Sequence, residues 1–237
     1  MRITALLMVA GAALALALDP DCAPGGNFDL TKWVLQEPVG DDGKPRQISS
    51  SKLVGCDGYQ DKWFSTSSKD GSMVMKVPKR SECVSTPNSK HCRSELREDS
   101  PRSWDPHART NRLFGDVQVI KSKGDICVGQ IHMDASVSHK PVALLYVNPE
   151  GDLTFGVATC RTCTSKRSAV GHVEPNSRFT YEIRYEKNKL SLSINGGGFK
   201  EFDTGRLDGP KSYFKAGNYN QDDNASEVHF FRVHVSH

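Results

Sequence analysis

The chain has 237 residues, 37% of them hydrophobic and 25% charged, with a formal net charge of +3 and seven cysteines. At roughly 100–200 residues per domain, that is one large or two small domains, ample for a substantial core. A mean hydropathy of −0.51 excludes a chain made of membrane spans, and so small a charge argues against nucleic acid as the main partner, which calls for a concentrated basic surface.

At the N-terminus, Arg2 precedes an apolar run from Ile3 to Leu18, and Ala15-Leu16-Ala17 forms a small-x-small cleavage pattern. The stretch reads as a secretory signal peptide over residues 1–17, leaving a domain over 18–237 that is secreted and soluble. The run is short for a bilayer span and meets Asp19-Pro20-Asp21 at once, so no membrane partner is expected. Secretion makes disulfides plausible. Cys83 and Cys92 flank a loop with Pro87 and Asn88, which suits a local bridge. Cys160-Arg161-Thr162-Cys163 has redox or zinc spacing, but with no second such pair a short-loop disulfide is the simpler reading. Cys22 and Cys56 would then pair over a longer loop, leaving Cys127 as a free thiol; other connectivities stay open. Asn224-Ala225-Ser226 is a glycosylation sequon, expected on a surface loop.

Beyond the signal, helix-period stretches are scarce and period-two alternation recurs. Strands are predicted at 72–77, 112–121, 126–134, 142–147 and 152–158, most of them bounded by Gly, Pro, Asn or Asp. In Phe179-Thr180-Tyr181-Glu182-Ile183-Arg184-Tyr185 every second residue is large and apolar. Glu186-Lys187-Asn188-Lys189 makes a turn, and Leu190, Leu192 and Ile194 resume the pattern. Further strands are predicted at 212–221 and 227–235; in the latter Phe230-Phe231 shifts the phase and marks a bulge. No linker or repeat divides the chain. Many strands without helices between them indicate one all-β domain, a two-sheet antiparallel sandwich or jelly roll.

Three segments carry an unusual polar face, because alternate side chains of a strand share a side. They are Arg93, Glu95 and Arg97; Gln130, His132 and Asp134; and Tyr213, Lys215, Tyr219 and Gln221. Cys127, Gly129, Ile131 and Met133 fall on the opposite, core side, which would bury the Cys127 thiol. In one curved sheet the three polar faces would form a concave groove suited to an anionic, hydroxyl-rich ligand, with arginine forks for carboxylates. Each element also has a plain structural reading: alternating Arg and Glu form cross-strand ion pairs on solvated sheets, and a lone strand histidine is usually structural. Their joint occurrence carries the weight.

The blocks Arg93-Ser94-Glu95-Leu96-Arg97, Gln130-Ile131-His132 and Tyr213-Phe214-Lys215-Ala216-Gly217-Asn218-Tyr219-Asn220-Gln221 stand in the order seen in family-seven polysaccharide lyases of the alginate lyase type, which the chain resembles. The opening Phe28-Asp29-Leu30-Thr31-Lys32-Trp33-Val34-Leu35-Gln36 is similar to the start of that domain. The resemblance implies a β-jelly roll and cleavage of a 4-linked polyuronate by β-elimination. By motif position it implies that Arg93 and Gln130 neutralise the carboxylate, His132 is the general base for at least one epimer, and Tyr219 protonates the leaving oxygen. For mannuronate, whose C5 hydrogen and O4 share a side, Tyr219 would serve as base and acid. Glu95, Arg97, Tyr213, Lys215 and Gln221 would bind substrate or brace the site. Ile131 within the Gln-x-His block is associated in the family with guluronate or mixed blocks. No cofactor or metal is called for, and a monomer is expected. The same groove would also fit a lyase on another polyuronate such as glucuronan, or a non-catalytic carbohydrate-binding module. A glycoside hydrolase would need paired carboxylates flanking the bond, and Glu95 instead sits between two arginines.

Overall fold

The computed structural model describes residues 17–87 and 89–237, so the signal-peptide reading lies almost wholly outside the described residues. Fifteen strands follow in chain order: β1 (Trp33–Asp41), β2 (Lys44–Ile48), β3 (Phe64–Thr66), β4 (Met73–Val77), β5 (Arg93–Glu98), β6 (Arg112–Lys121), β7 (Ile126–Met133) and β8 (Pro141–Val147). Then come β9 (Asp152–Val157), β10 (Lys166–His172), β11 (Arg178–Glu186), β12 (Lys189–Ile194), β13 (Lys200–Phe202), β14 (Ser212–Asn220) and β15 (Ser226–Ser236). Two short helices, Pro24–Asn27 and Ser50–Leu53, lie among the N-terminal strands. No helix among the described residues is long and apolar enough to cross a membrane.

The strands form two antiparallel sheets packed as a jelly roll. One runs β10-β9-β8-β7-β14-β5-β1-β2, the other β13-β12-β11-β6-β15-β4-β3. Consecutive strands such as β14 and β15 therefore sit in different sheets, which is how short turns can close a sandwich. Alternation explains the packing. On β11, Phe179, Tyr181, Ile183 and Tyr185 are all buried while the residues between them face outward. From the other sheet, Trp33, Leu35, Leu96, Ile131 and Phe214 enter the same core cluster. Each such side chain contributes about 1.5–3 kcal/mol on full burial, so the interlayer is the main source of stability.

Buried polar side chains are paired, the Thr66 hydroxyl excepted. The Tyr181 hydroxyl donates to the Val128 carbonyl at 2.9 Å. Buried Glu98 accepts from Trp104 Nε1 at 2.9 Å and from the Phe214 amide at 3.0 Å, and His237 Nε2 lies 2.6 Å from its other oxygen. The disulfides join Cys22 to Cys56, Cys83 to Cys92 and Cys160 to Cys163. Cys127 is free and buried. The β15–β6 pairing slips between Phe230 and Arg232, where the sequence marks a phase shift.

One placement differs from strict alternation. Cys127 was expected on the core side; instead it packs with Leu144, Tyr146 and Tyr219, on the same side as Gln130 and His132. The reason is an irregularity in β7: its pairing with β8 slips between Cys127 and Gly129. Val128 belongs to the core, and a Cβ on Gly129 would lie 2.7 Å from the Tyr181 hydroxyl oxygen, so both residues face inward. A bulge of this kind inverts the phase of everything before it.

Candidate active site

The site is built on the outer face of the eight-stranded sheet, where β14 lies between β5 and β7. Register places Lys215 opposite Arg97 on one side and Gln130 on the other; Gly217 faces Glu95, Tyr219 faces Arg93, and Tyr213 faces His132. Three motifs far apart in sequence thus become adjacent rows. A Cβ on Gly217 would meet the Ser94 carbonyl at 2.5 Å, so this position has no room for a side chain. His132 and Tyr213 stand at one end of the face and Arg93 and Tyr219 at the other, with the buried Glu95, Gln130 and Lys215 between them.

Glu95 organises the centre from below. Only 1% exposed, it accepts a hydrogen bond from Gln130 Nε2 at 2.5 Å and an ion pair from Arg93 at 3.2 Å, and it contacts the Lys215 ammonium directly. Burial alone would raise its pKa; the charges of Lys215 and Arg93 outweigh that and hold it below the usual range. Lys215 is equally buried, and burial followed by the repulsion of Arg93 brings its pKa down to about 8. These two residues hold the others in place rather than forming the open surface.

His132 packs face to face on Tyr213, ring centroids 5.3 Å apart. Its Nδ1 lies 2.8 Å from the Met133 carbonyl, which can only accept. Nδ1 therefore carries the hydrogen, and Nε2 of the neutral ring keeps its lone pair. Burial, then Lys215 and Arg93, lowers the His132 pKa from 6.5 to about 4. Between these values the unfolded chain binds a proton that the folded one refuses, so acidification through this window costs stability. In an NMR titration the His132 ring signals should move near pH 4; a midpoint at 6.5 would mean that the ring is not desolvated.

At the other end the Arg93 guanidinium lies 3.8 Å from the Tyr219 ring centroid, and Arg97 likewise covers Tyr213 at 4.3 Å. Such stacking fixes both partners. The Tyr219 hydroxyl is 3.0 Å from Ser89 Oγ, and His91 meets the ring edge-on. Beside them Arg167 of β10 stacks 3.5 Å over Tyr146 and pairs with Asp125.

Of the residues singled out from the sequence, Arg93, Glu95, Arg97, Gln130, His132, Tyr213, Lys215 and Tyr219 converge on this face. Gln221 lies just past β14 and turns its amide back to the Tyr219 carbonyl at 3.0 Å. Asp134 was expected beside Gln130 and His132 but leaves the sheet after β7, where its carboxylate caps the Ser136 turn at 2.9 Å. Asn224 is exposed in the turn between β14 and β15. Ser89, His91, Tyr146 and Arg167 escaped sequence reasoning. For the first two a signal existed, since the loop closed by Cys83 and Cys92 runs straight into Arg93. Among the described residues no cluster of three or more His, Cys, Asp or Glu could hold a metal ion.

A jelly roll whose outer sheet face gathers arginines, a neutral histidine and a tyrosine around a buried Glu95–Lys215 pair defines a class of protein suited to an acidic, hydroxyl-bearing ligand. The family model described as alginate lyase matches residues 28–237, and the chain belongs to that family. It is 26% identical to an alginate lyase of Klebsiella pneumoniae, over 91% of each chain. Among solved structures, the family 7 alginate lyase A1-II′, crystallised as a Tyr→Phe variant with product (GGG), superposes with a TM-score of 0.78 at 29% identity, covering 91% of this chain and 99% of that one. An alginate lyase from Pseudomonas aeruginosa gives 0.75 at 27%, covering 88% and 99%.

Proposed function

We propose that the protein is a secreted enzyme that cleaves alginate by β-elimination and works as a monomer. The observation that carries this reading is the pairing of a neutral His132, its Nε2 unprotonated, with the Tyr219 hydroxyl on either side of a cationic centre. A binding module needs the arginines but has no use for a proton acceptor and donor. The three disulfides fit an oxidising compartment. The relative A1-II′ has also been crystallised with substrate (GGMG) as a variant altered at one histidine and one tyrosine.

The reaction sets its own requirements. The C5 hydrogen of a uronate is very weakly acidic while the adjacent carboxylate keeps its charge, so electron density must be drawn into that group as the proton leaves. Arg93 spends one N–H on Glu95 and has others free. Gln130 likewise gives one amide hydrogen to Glu95 and offers its second. Together they neutralise the carboxylate of a sugar lying between His132 and Tyr219. His132 Nε2 takes the C5 proton when it lies opposite O4, as in guluronate. The electron pair forms the C4–C5 double bond, the C4–O4 bond breaks, and the Tyr219 hydroxyl protonates O4. For mannuronate both proton transfers fall to Tyr219. Glu95 and Lys215 brace the neutralising pair; Arg97, Tyr213 and Gln221 line or support the neighbouring positions.

The test is turnover on alginate, on separate mannuronate and guluronate blocks, and on glucuronan, followed by ultraviolet absorbance of the new double bond. Absorbance should rise with alginate or its blocks. A rise with glucuronan alone would move the reading to another polyuronate, and binding without any rise would make the protein a carbohydrate-binding module.

A further inference from the structure

We infer that Ser89 is a positioning residue for the reaction, acting through the Tyr219 hydroxyl; the inference rests on the proton-transfer role proposed for Tyr219. Ser89 sits in the loop closed by the Cys83–Cys92 disulfide, and that loop leads directly into β5 and Arg93. Its hydroxyl is held from several sides. The His91 amide donates to Ser89 Oγ at 3.1 Å, Ser89 Oγ donates to the His91 carbonyl at 3.1 Å, and the Tyr219 oxygen lies 3.0 Å away. The loop is anchored separately, by Ser85 Oγ donating to the Ser89 carbonyl at 2.8 Å.

The proton count gives this arrangement its use. While the Ser89 proton points to the His91 carbonyl, Ser89 Oγ accepts from the His91 amide and from the Tyr219 hydroxyl, and with substrate in place the phenol O–H turns from Ser89 to O4. When the C4–O4 bond breaks and O4 takes the Tyr219 proton, the phenol oxygen becomes negative. Rotation about the Ser89 Cβ–Oγ bond then turns the serine proton onto that oxygen, a charge-assisted hydrogen bond of the stronger kind. Ser89 keeps its proton throughout, and water restores that of Tyr219. The His91 carbonyl, briefly released, lies in a half-exposed loop that water can reach. Neither Arg93 nor His91 supplies that hydrogen bond. Arg93 stacks on the face of the ring, and His91 makes only a T-shaped ring contact, centroids 6.1 Å apart.

The experiment compares Ser89→Ala, Ser89→Thr and Ser85→Ala with the unaltered enzyme and with Tyr219→Phe, by steady-state kinetics on alginate. A hydrogen bond to a developing charge is worth about 1.5–3 kcal/mol, or roughly ten- to a hundredfold in rate. Ser89→Ala should lower kcat by that factor with KM little changed. Ser89→Thr, which keeps a hydroxyl, should recover most of the rate. Ser85→Ala, which loosens the loop without touching the hydroxyl pair, should leave kcat near that of the unaltered enzyme. Equal losses in Ser85→Ala and Ser89→Ala would assign the effect to loop anchoring and overturn the inference. So would an unchanged kcat in Ser89→Ala while Tyr219→Phe is inactive. Activity retained in Tyr219→Phe would instead refute the proposed role of Tyr219 itself.

Discussion

Replacing Tyr219 by Phe should reduce kcat on alginate by about 10²–10⁴-fold, the usual contribution of a positioned general acid or base. The change removes one oxygen and leaves the ring on which Arg93 stacks and against which Cys127, Leu144 and Tyr146 pack. Stability should therefore barely move, and KM should stay near its original value. That split matters, because a loss through misfolding would appear in the melting temperature, and a loss of substrate binding would appear in KM. A variant that folds normally and turns over at the original rate would remove the tyrosine from the mechanism.

Glu95→Leu should have the largest effect on stability, about 3–5 kcal/mol at neutral pH, because it strips a buried ion cluster of its only carboxylate. Lys215 and Arg93 would then face each other without compensation. Lys215 has a way out. Its pKa, already brought down by burial and Arg93 to about 8, would fall further, and the ammonium would lose its proton. Where the unfolded chain holds a proton that the folded one has released, stability rises with pH. The penalty should be full at mildly acidic pH and shrink toward alkaline pH in urea denaturation. A pH-independent penalty would mean that the lysine never titrates. Catalysis should fall as well, since Gln130 loses the oxygen that orients its amide.

Much of the architecture could be read before any coordinates, for reasons visible in particular strands. On β11, core-facing Phe179, Tyr181, Ile183 and Tyr185 alternate with polar residues, so period and layer were both explicit. Strand β10 offered nothing of the kind. It is exposed along nearly all its length at the end of its sheet, and no apolar period marks it. The site divided in the same way. Residues that share a strand, such as Arg93, Glu95 and Arg97, were grouped correctly by alternation alone. Cys127 was misplaced because a bulge at Val128 and Gly129 breaks the count of two, and the only trace of it in the sequence is a glycine. Ser89 and Arg167 were invisible because their meaning depends on what folds next to them. A loop serine gains a role only when β14 brings Tyr219 to it, and an arginine on an edge strand only when Tyr146 lies under its guanidinium.

The proposed reaction breaks the polymer by elimination rather than by hydrolysis. It is tested most directly by digesting alginate in water enriched in heavy oxygen and weighing the products by mass spectrometry. Elimination predicts oligouronides one water lighter than their saturated counterparts, with no heavy oxygen at the cleaved bond. Saturated oligouronides carrying the label would contradict the assignment of His132 and Tyr219 to proton transfer at C5 and O4.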